Sequence, residues 1–188
     1  MKLVALVLAC AACVDPPKAT ADHGKLGSCG VVNVDPIIAS PHVPIDSPIT
    51  WPENPPTSGP HYPIWAAFDE SYDDLARGFW LHDAEHGSIV LLYRCDAGCP
   101  DVASELAGIV AAMPVDPHCT APVWARSVVV SDPLLPDDNT IAAVAWGTSY
   151  VATCFDADAI DEFASEHYGM GAEDFCDNGA NFGGTPIA

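Results

Sequence analysis

The chain holds seven histidines, and three of them lie in two short motifs whose residue types suit coordination chemistry. His61 stands in "NPPTSGPHYP", and His82 and His86 stand in "LHDAEHGSIVLLY". Imidazole is the commonest transition-metal ligand near neutral pH. A proline-stiffened loop with one histidine and a tight turn with two would present three nitrogen ligands at little ordering cost. Such a set suits copper or zinc, with a position left for water or a fourth ligand. Glu85 is a further ligand or, with Asp83, a partner that orients imidazole N–H groups. Near the C-terminus Met170, His167 and Glu173 are additional candidates, and a thioether from Met170 would favour cuprous copper. The chemistry open to such a site is metal binding or, with Glu85 as general base, a small metal-dependent hydrolase or oxidase. The small chain leaves little room for an elaborate substrate pocket, which ranks binding above catalysis. The same side chains also suit a metal-free structural or protein-interaction module, in which hydrogen bonds tie an irregular arm to a sheet. His23, His42 and His118 lie outside the two motifs and are read as ordinary polar residues.

The string from His82 to His86 matches H-x-x-E-H, a pattern of inverted zinc peptidases in which a long helix carries both histidines. Gly87 and the strand-like run after it leave no room for such a helix, so that reading is set aside in favour of a turn between two strands.

The elements that must position these residues follow from periodicity and punctuation. Residues Val31 to Pro63 are rich in proline, which removes backbone donors and restricts φ, and so form an extended arm. "GVVNV" suits an edge strand, "DESYDDLARG" a short helix, and "GFWLH" and "GSIVLLYR" two strands. "CPDVASELAGIVAAMP" predicts a helix with Pro100 in its first turn and Pro114 as its stop. Its apolar face is Val102, Leu106, Ile109, Val110 and Met113. "VWARSVVV" and "TIAAVAWGTSYVATC" read as two strands of a hairpin. "FDADAIDEFASEHYG" predicts a second helix, capped by Asp156 or Asp158 and ended by Gly169, with Ile160, Phe163 and Tyr168 towards one face. The order predicts an α+β fold: an antiparallel or mixed sheet with two helices packed on one face, stapled by disulfides, with a Pro-rich N-terminal arm.

Composition sets the compartment. The formal net charge is −20 with only six Lys plus Arg. Such a chain repels nucleic acid and anionic headgroups, and the acidity serves solubility. The opening "MKLVALVLACAACVDPP" has one Lys, a short apolar run, then small residues and cysteine, as in a secretory signal. Cysteine after small residues points to a lipoprotein acylated at Cys13, or alternatively at Cys10. The expected organisation is a signal peptide over 1–12, a lipidated Cys and flexible tether over 13–27, and one globular domain over 28–188. The domain would be held by its lipid to the cell envelope, facing the periplasm or the cell surface, with the membrane and a metal ion as its partners.

Eight cysteines are present, and six remain beyond the anchor region: Cys29, Cys95, Cys99, Cys119, Cys154 and Cys176. An even number in an exported chain implies disulfides rather than a cysteine zinc site. Centring the turn of the expected hairpin sets Cys119 opposite Cys154. Cys95 and Cys99 would close a small loop, which leaves Cys29 with Cys176.

"NPPTSGPHYP", "LHDAEHGSIVLLY", "AWG", "IDEFASEHYG" and "GAEDFC", in that order, resemble the bacterial family known as domain of unknown function 3105 over most of residues 50–176. His82, Glu85, His86 and Gly87 match its H-x-L-E-H-G turn, while Asp83-Ala84 departs from it. The resemblance implies an exported or membrane-anchored protein in which His61, His82 and His86 act together. It supplies no activity.

Overall fold

The computed structural model describes residues 23–95 and 99–187. Eight strands form one mixed sheet in the order β1-β2-β7-β6-β4-β5-β3-β8. They are β1 (His23–Leu26), β2 (Gly30–Val34), β3 (Glu70–Tyr72), β4 (Ile89–Tyr93), β5 (Ser127–Ser131), β6 (Ile141–Ala145), β7 (Thr148–Ala152) and β8 (Thr185–Pro186). The half from β1 to β4 is antiparallel; β4, β5 and β3 run parallel, and β8 returns antiparallel on β3. The helices are α1 (Arg77–Glu85), α2 (Pro100–Ala112) and α3 (Ala157–His167). Among the described residues no helix is long and apolar enough to cross a membrane.

Strand alternation divides the interior into two cores. β4 is buried along its whole length, as a central strand covered on both faces must be. Ile89, Leu91 and Tyr93 pack with Leu106 and Val110 of α2 and with Ile160 and Phe163 of α3. Val90 and Leu92 pack with Trp80, Leu81 and Ala84 of α1 on the opposite face. The expected two helices on one face are therefore α2 and α3. Asp156 caps α3 by accepting from Ala159 N at 3.3 Å.

Several local expectations are corrected. "GFWLH" is not a strand but most of α1. "DESYDDLARG" is not a helix: Glu70–Tyr72 form β3. β2 is not an edge, because β1 covers it, and His23–Leu26, expected to end the flexible tether, already form that covering strand. "TIAAVAWGTSYVATC" is two strands rather than one. Trp146-Gly147 make a two-residue turn between β6 and β7, with Gly147 at φ 77°, a left-handed conformation that glycine adopts without steric cost. β5 pairs in parallel with β4 and β3, so the hairpin expected to set the cysteine register does not exist. The disulfides are Cys29–Cys154, Cys95–Cys99 and Cys119–Cys176. The Cys95–Cys99 loop is as expected; the Cys119–Cys154 and Cys29–Cys176 pairings are not. The β2–β7 register carries Cys29 up to Cys154, since Gly30 lies opposite Ala152. The expected signal peptide and the acylation sites Cys10 and Cys13 lie outside the described residues.

Candidate metal centre

α1 is the element that assembles the site. Most of its residues are buried, Gly78 and the run from Trp80 to Glu85, while Arg77 and Phe79 are half-buried. Gly78 admits the Tyr62 ring, since a Cβ there would meet Tyr62 Cδ2 at 2.7 Å. The helix ends in a Schellman motif. Ser88 N donates to Asp83 O at 3.1 Å and Gly87 N to Ala84 O at 3.0 Å, with Gly87 at φ 84°, a closure that satisfies carbonyls otherwise left bare. Gly87, expected to exclude a helix around His82, is instead how the helix stops. His82 and Glu85 thus share the last turn of α1, and His86 is its C-cap.

The Pro-rich arm supplies the rest. The loop before His61 is buried and held by Gly147 N donating to Thr57 O at 2.8 Å and by Gly59 N donating to Ser40 Oγ at 3.1 Å. Gly59 sits at φ 118° with Ile38 against it. Its carbonyl lies 2.9 Å from His61 Nδ1, and the Tyr62 carbonyl lies 2.8 Å from His82 Nδ1. A carbonyl only accepts, so Nδ1 carries a proton in both rings, which leaves Nε2 as the ring nitrogen free to act as a ligand. Main-chain carbonyls, not Asp83, orient these two rings.

The ligand-capable atoms of His42, His61, His82 and Glu85 lie within 4.8 Å of one another. His61 Nε2 is 3.0 Å from Glu85 Oε2, yet it has no hydrogen-bond partner among the described residues. His61, His82 and Glu85 are buried, while His42 is exposed. His82 is held down to about 3 by burial and by the imidazoles beside it, so it stays neutral and ligand-competent. Burial raises the Glu85 carboxyl, and His61 opposes that shift.

His42 is the residue that sequence reasoning missed. It lies in a proline-flanked stretch with no motif around it. The signal comes from pairing: an isolated parallel bridge sets His42 beside His61. His86, expected among the ligands, lies outside this compact group, although its ring centroid is 4.6 Å from that of His82. It turns to Glu173, with Nε2 3.4 Å from Oε2. Burial lowers its pKa to about 4. Met170 is 61% exposed, and His167 stacks on Phe163 in α3; neither belongs to the group.

A second layer fixes the end of α1. Gly169 N donates to Gly87 O at 2.8 Å, Glu173 N donates to Glu85 O at 2.9 Å, and a Cβ on Gly171 would meet Glu85 O at 2.2 Å. Buried Arg126 donates through Nη1 to His86 O at 2.9 Å and to Asp174 Oδ1 at 2.7 Å, and through Nε to Asp116 Oδ2 at 3.0 Å. Burial costs this guanidinium, but its carboxylate and hydroxyl partners outweigh the cost and keep it charged.

A family model described as Protein of unknown function (DUF3105) matches residues 42–178. The chain belongs to the DUF3105 family. The match opens on His42 and contains the four clustered residues, Glu173 and Cys176. No curated protein and no solved structure shows significant similarity to it. The DUF3105 domain thus brings no inherited activity, and its function must be argued from the cluster.

Proposed function

We propose that this DUF3105 chain is an exported, lipid-anchored protein whose domain binds one transition-metal ion through His42, His61, His82 and Glu85. One observation carries the reading. Two rings tethered through Nδ1 to backbone carbonyls gather with Glu85, their ligand atoms within 4.8 Å of one another, and His61 Nε2 stands 3.0 Å from Glu85 Oε2. That nitrogen is buried with no hydrogen-bond partner among the described residues, which costs free energy unless a cation joins it to the carboxylate. The cation is a metal ion or a proton shared by Glu85 and His61. A third imidazole within reach favours the metal, because one proton satisfies only two atoms. Three nitrogens and one oxygen without sulfur suit zinc or cupric copper over cuprous copper. The three disulfides support an oxidising compartment, and the N-terminal cysteine pattern supports the lipid anchor.

Calorimetric titration of the apo protein with zinc and cupric ions tests the metal. The expected result is one site per chain, lost in His61→Ala, His82→Ala and Glu85→Ala. Wild-type binding no tighter than that of these variants would leave the shared proton as the reading. Mass spectrometry of membrane-fractionated Cys13→Ser and Cys10→Ser variants tests the anchor; a wild type without lipid sinks it.

A further inference from the structure

Two of the four ligand side chains are held from behind by hydrogen bonds, and that of His42 is not. His61 and His82 are each tethered through Nδ1 to a main-chain carbonyl. Glu85 sits in the last turn of α1, where its carbonyl accepts from Glu173 N and Gly171 packs against it. Such supporting hydrogen bonds fix ligand orientation. The His42 ring touches those of His61 and His82, at centroid distances of 4.9 and 4.8 Å. It makes no hydrogen bond among the described residues, and it is exposed. Its backbone is clamped on both sides, by His61 N donating to Pro41 O at 3.3 Å and by Val43 N donating to His61 O at 2.8 Å. Rotation about the side-chain bonds of His42 therefore opens the centre to solvent without moving the arm. The same rotation for His61 or His82 breaks a buried hydrogen bond and leaves its carbonyl unpaired.

We propose that His42 is the exchangeable ligand of the centre: it swings out on the arm face, and a neutral imidazole donor from solution takes the position it vacates while the ion stays on His61, His82 and Glu85. The step balances simply: one metal–nitrogen bond breaks and one forms, the ion keeps its charge and oxidation state, and no oxidant or reductant takes part. An imidazole replaces like with like and preserves the three-nitrogen, one-oxygen set.

The inference rests on the metal reading, and its test separates the two. Wild-type, His42→Ala, His42→Asn and His82→Ala proteins are titrated with cobaltous ion, whose visible spectrum reports coordination, and then with free imidazole. Zinc loss to an excess of chelator gives the exchange rate. The exposed position of His42 predicts unchanged apo melting temperatures for both of its variants. Affinity should fall in the His42 variants by at least the roughly 10–100-fold that losing an outer partner costs a metal site, and disappear in His82→Ala. Imidazole should restore the wild-type spectrum in His42→Ala, and the chelator should strip zinc from it faster than from wild type. Two results overturn the proposal while leaving the metal reading intact: His42→Ala losing the ion as completely as His82→Ala with no recovery by imidazole, or His42→Ala keeping wild-type affinity and exchange. A wild type that binds neither cobalt nor zinc overturns both.

Discussion

The two faces of the sheet are built on different terms. Under α2 and α3 the interior is almost wholly apolar, and each helix shows the sheet one stripe: Leu106 and Val110 from α2, Ile160 and Phe163 from α3. Under α1 the interior also holds His61, His82, Asp83, Glu85 and His86, all buried. One short helix and a proline arm cover that face, and backbone carbonyls, an arginine and glycine contacts hold the polar groups in place. The first face is assembled chiefly by hydrophobic burial, with the Cys29–Cys154 and Cys95–Cys99 disulfides beside it. The second must also satisfy polar groups, and there the ligand-capable atoms of buried His61, His82 and Glu85 lie with that of His42 within 4.8 Å of one another.

Both faces should nevertheless contribute to global stability. Trp80→Ala beneath the site and Phe163→Ala beneath α3 each remove a fully buried aromatic, and each is expected to cost about 3–5 kcal/mol in chemical denaturation. A much smaller loss for Trp80→Ala would mean that the α1 face opens independently of the rest. Next in size is the Cys119–Cys176 disulfide, which ties the loop before β5 to the segment bearing Glu173 and Asp174. Replacing both cysteines by Ser is expected to cost about 2–5 kcal/mol, with hydrogen exchange rising first around residues 169–176.

A glycine pair sharpens the contrast further. Gly171→Ala drives a methyl into the Glu85 carbonyl, whereas Gly108 in α2 has open space around its Cβ position. Gly108→Ala should stabilise by about 0.5–1 kcal/mol. Gly171→Ala should destabilise and shift Glu85, so metal affinity falls with stability. Equal effects of the two changes would contradict the close packing at the end of α1.

A further expected effect is on pH dependence. In the metal-free protein burial holds His82 at about 3 and His86 at about 4, while unfolded imidazoles protonate near 6.5. Between those values the unfolded chain binds more protons, so stability falls as pH drops from about 6.5 to about 4. Asp69 on the rim of the sheet acts in the opposite sense. Burial raises it to about 6, so below that value the folded state holds a proton that the unfolded carboxyl, near 3.9, releases. Urea midpoints at pH 7, 5.5 and 4.5 should show a shallower acid loss for His82→Gln than for wild type, and a steeper one for Asp69→Asn. A wild-type slope unchanged by either substitution would contradict the neutral, buried state of His82.

How much of this was legible in the sequence follows the same division. α2 and α3 show apolar residues at helical spacing, proline or aspartate at the start and a clear stop, and their expected spans stand. α1 does not. A helix buried on most sides has no polar stripe, so "GFWLHDAE" reads as a strand. Gly87, a helix terminator by its positive φ, was taken to exclude the helix it ends. The β6–β7 turn was hidden because "AAVAWGTSYVA" is apolar on both sides of a single glycine, and the two disulfide pairings failed with the hairpin that replaced it. At the site, His61, His82 and Glu85 were visible as motifs. His42 was not, because its place depends on a backbone bridge between residues 19 apart in sequence, a contact with no local signature.

X-ray absorption at the zinc edge of the loaded wild-type protein tests the central claim most directly. The expected result is a single shell of about four nitrogen and oxygen atoms near 2.0–2.1 Å, with multiple scattering from three imidazoles that falls to two in His42→Ala loaded at saturating zinc. A six-oxygen shell without imidazole scattering, unchanged by that substitution, would place the ion among surface carboxylates and contradict a centre built on His42, His61, His82 and Glu85.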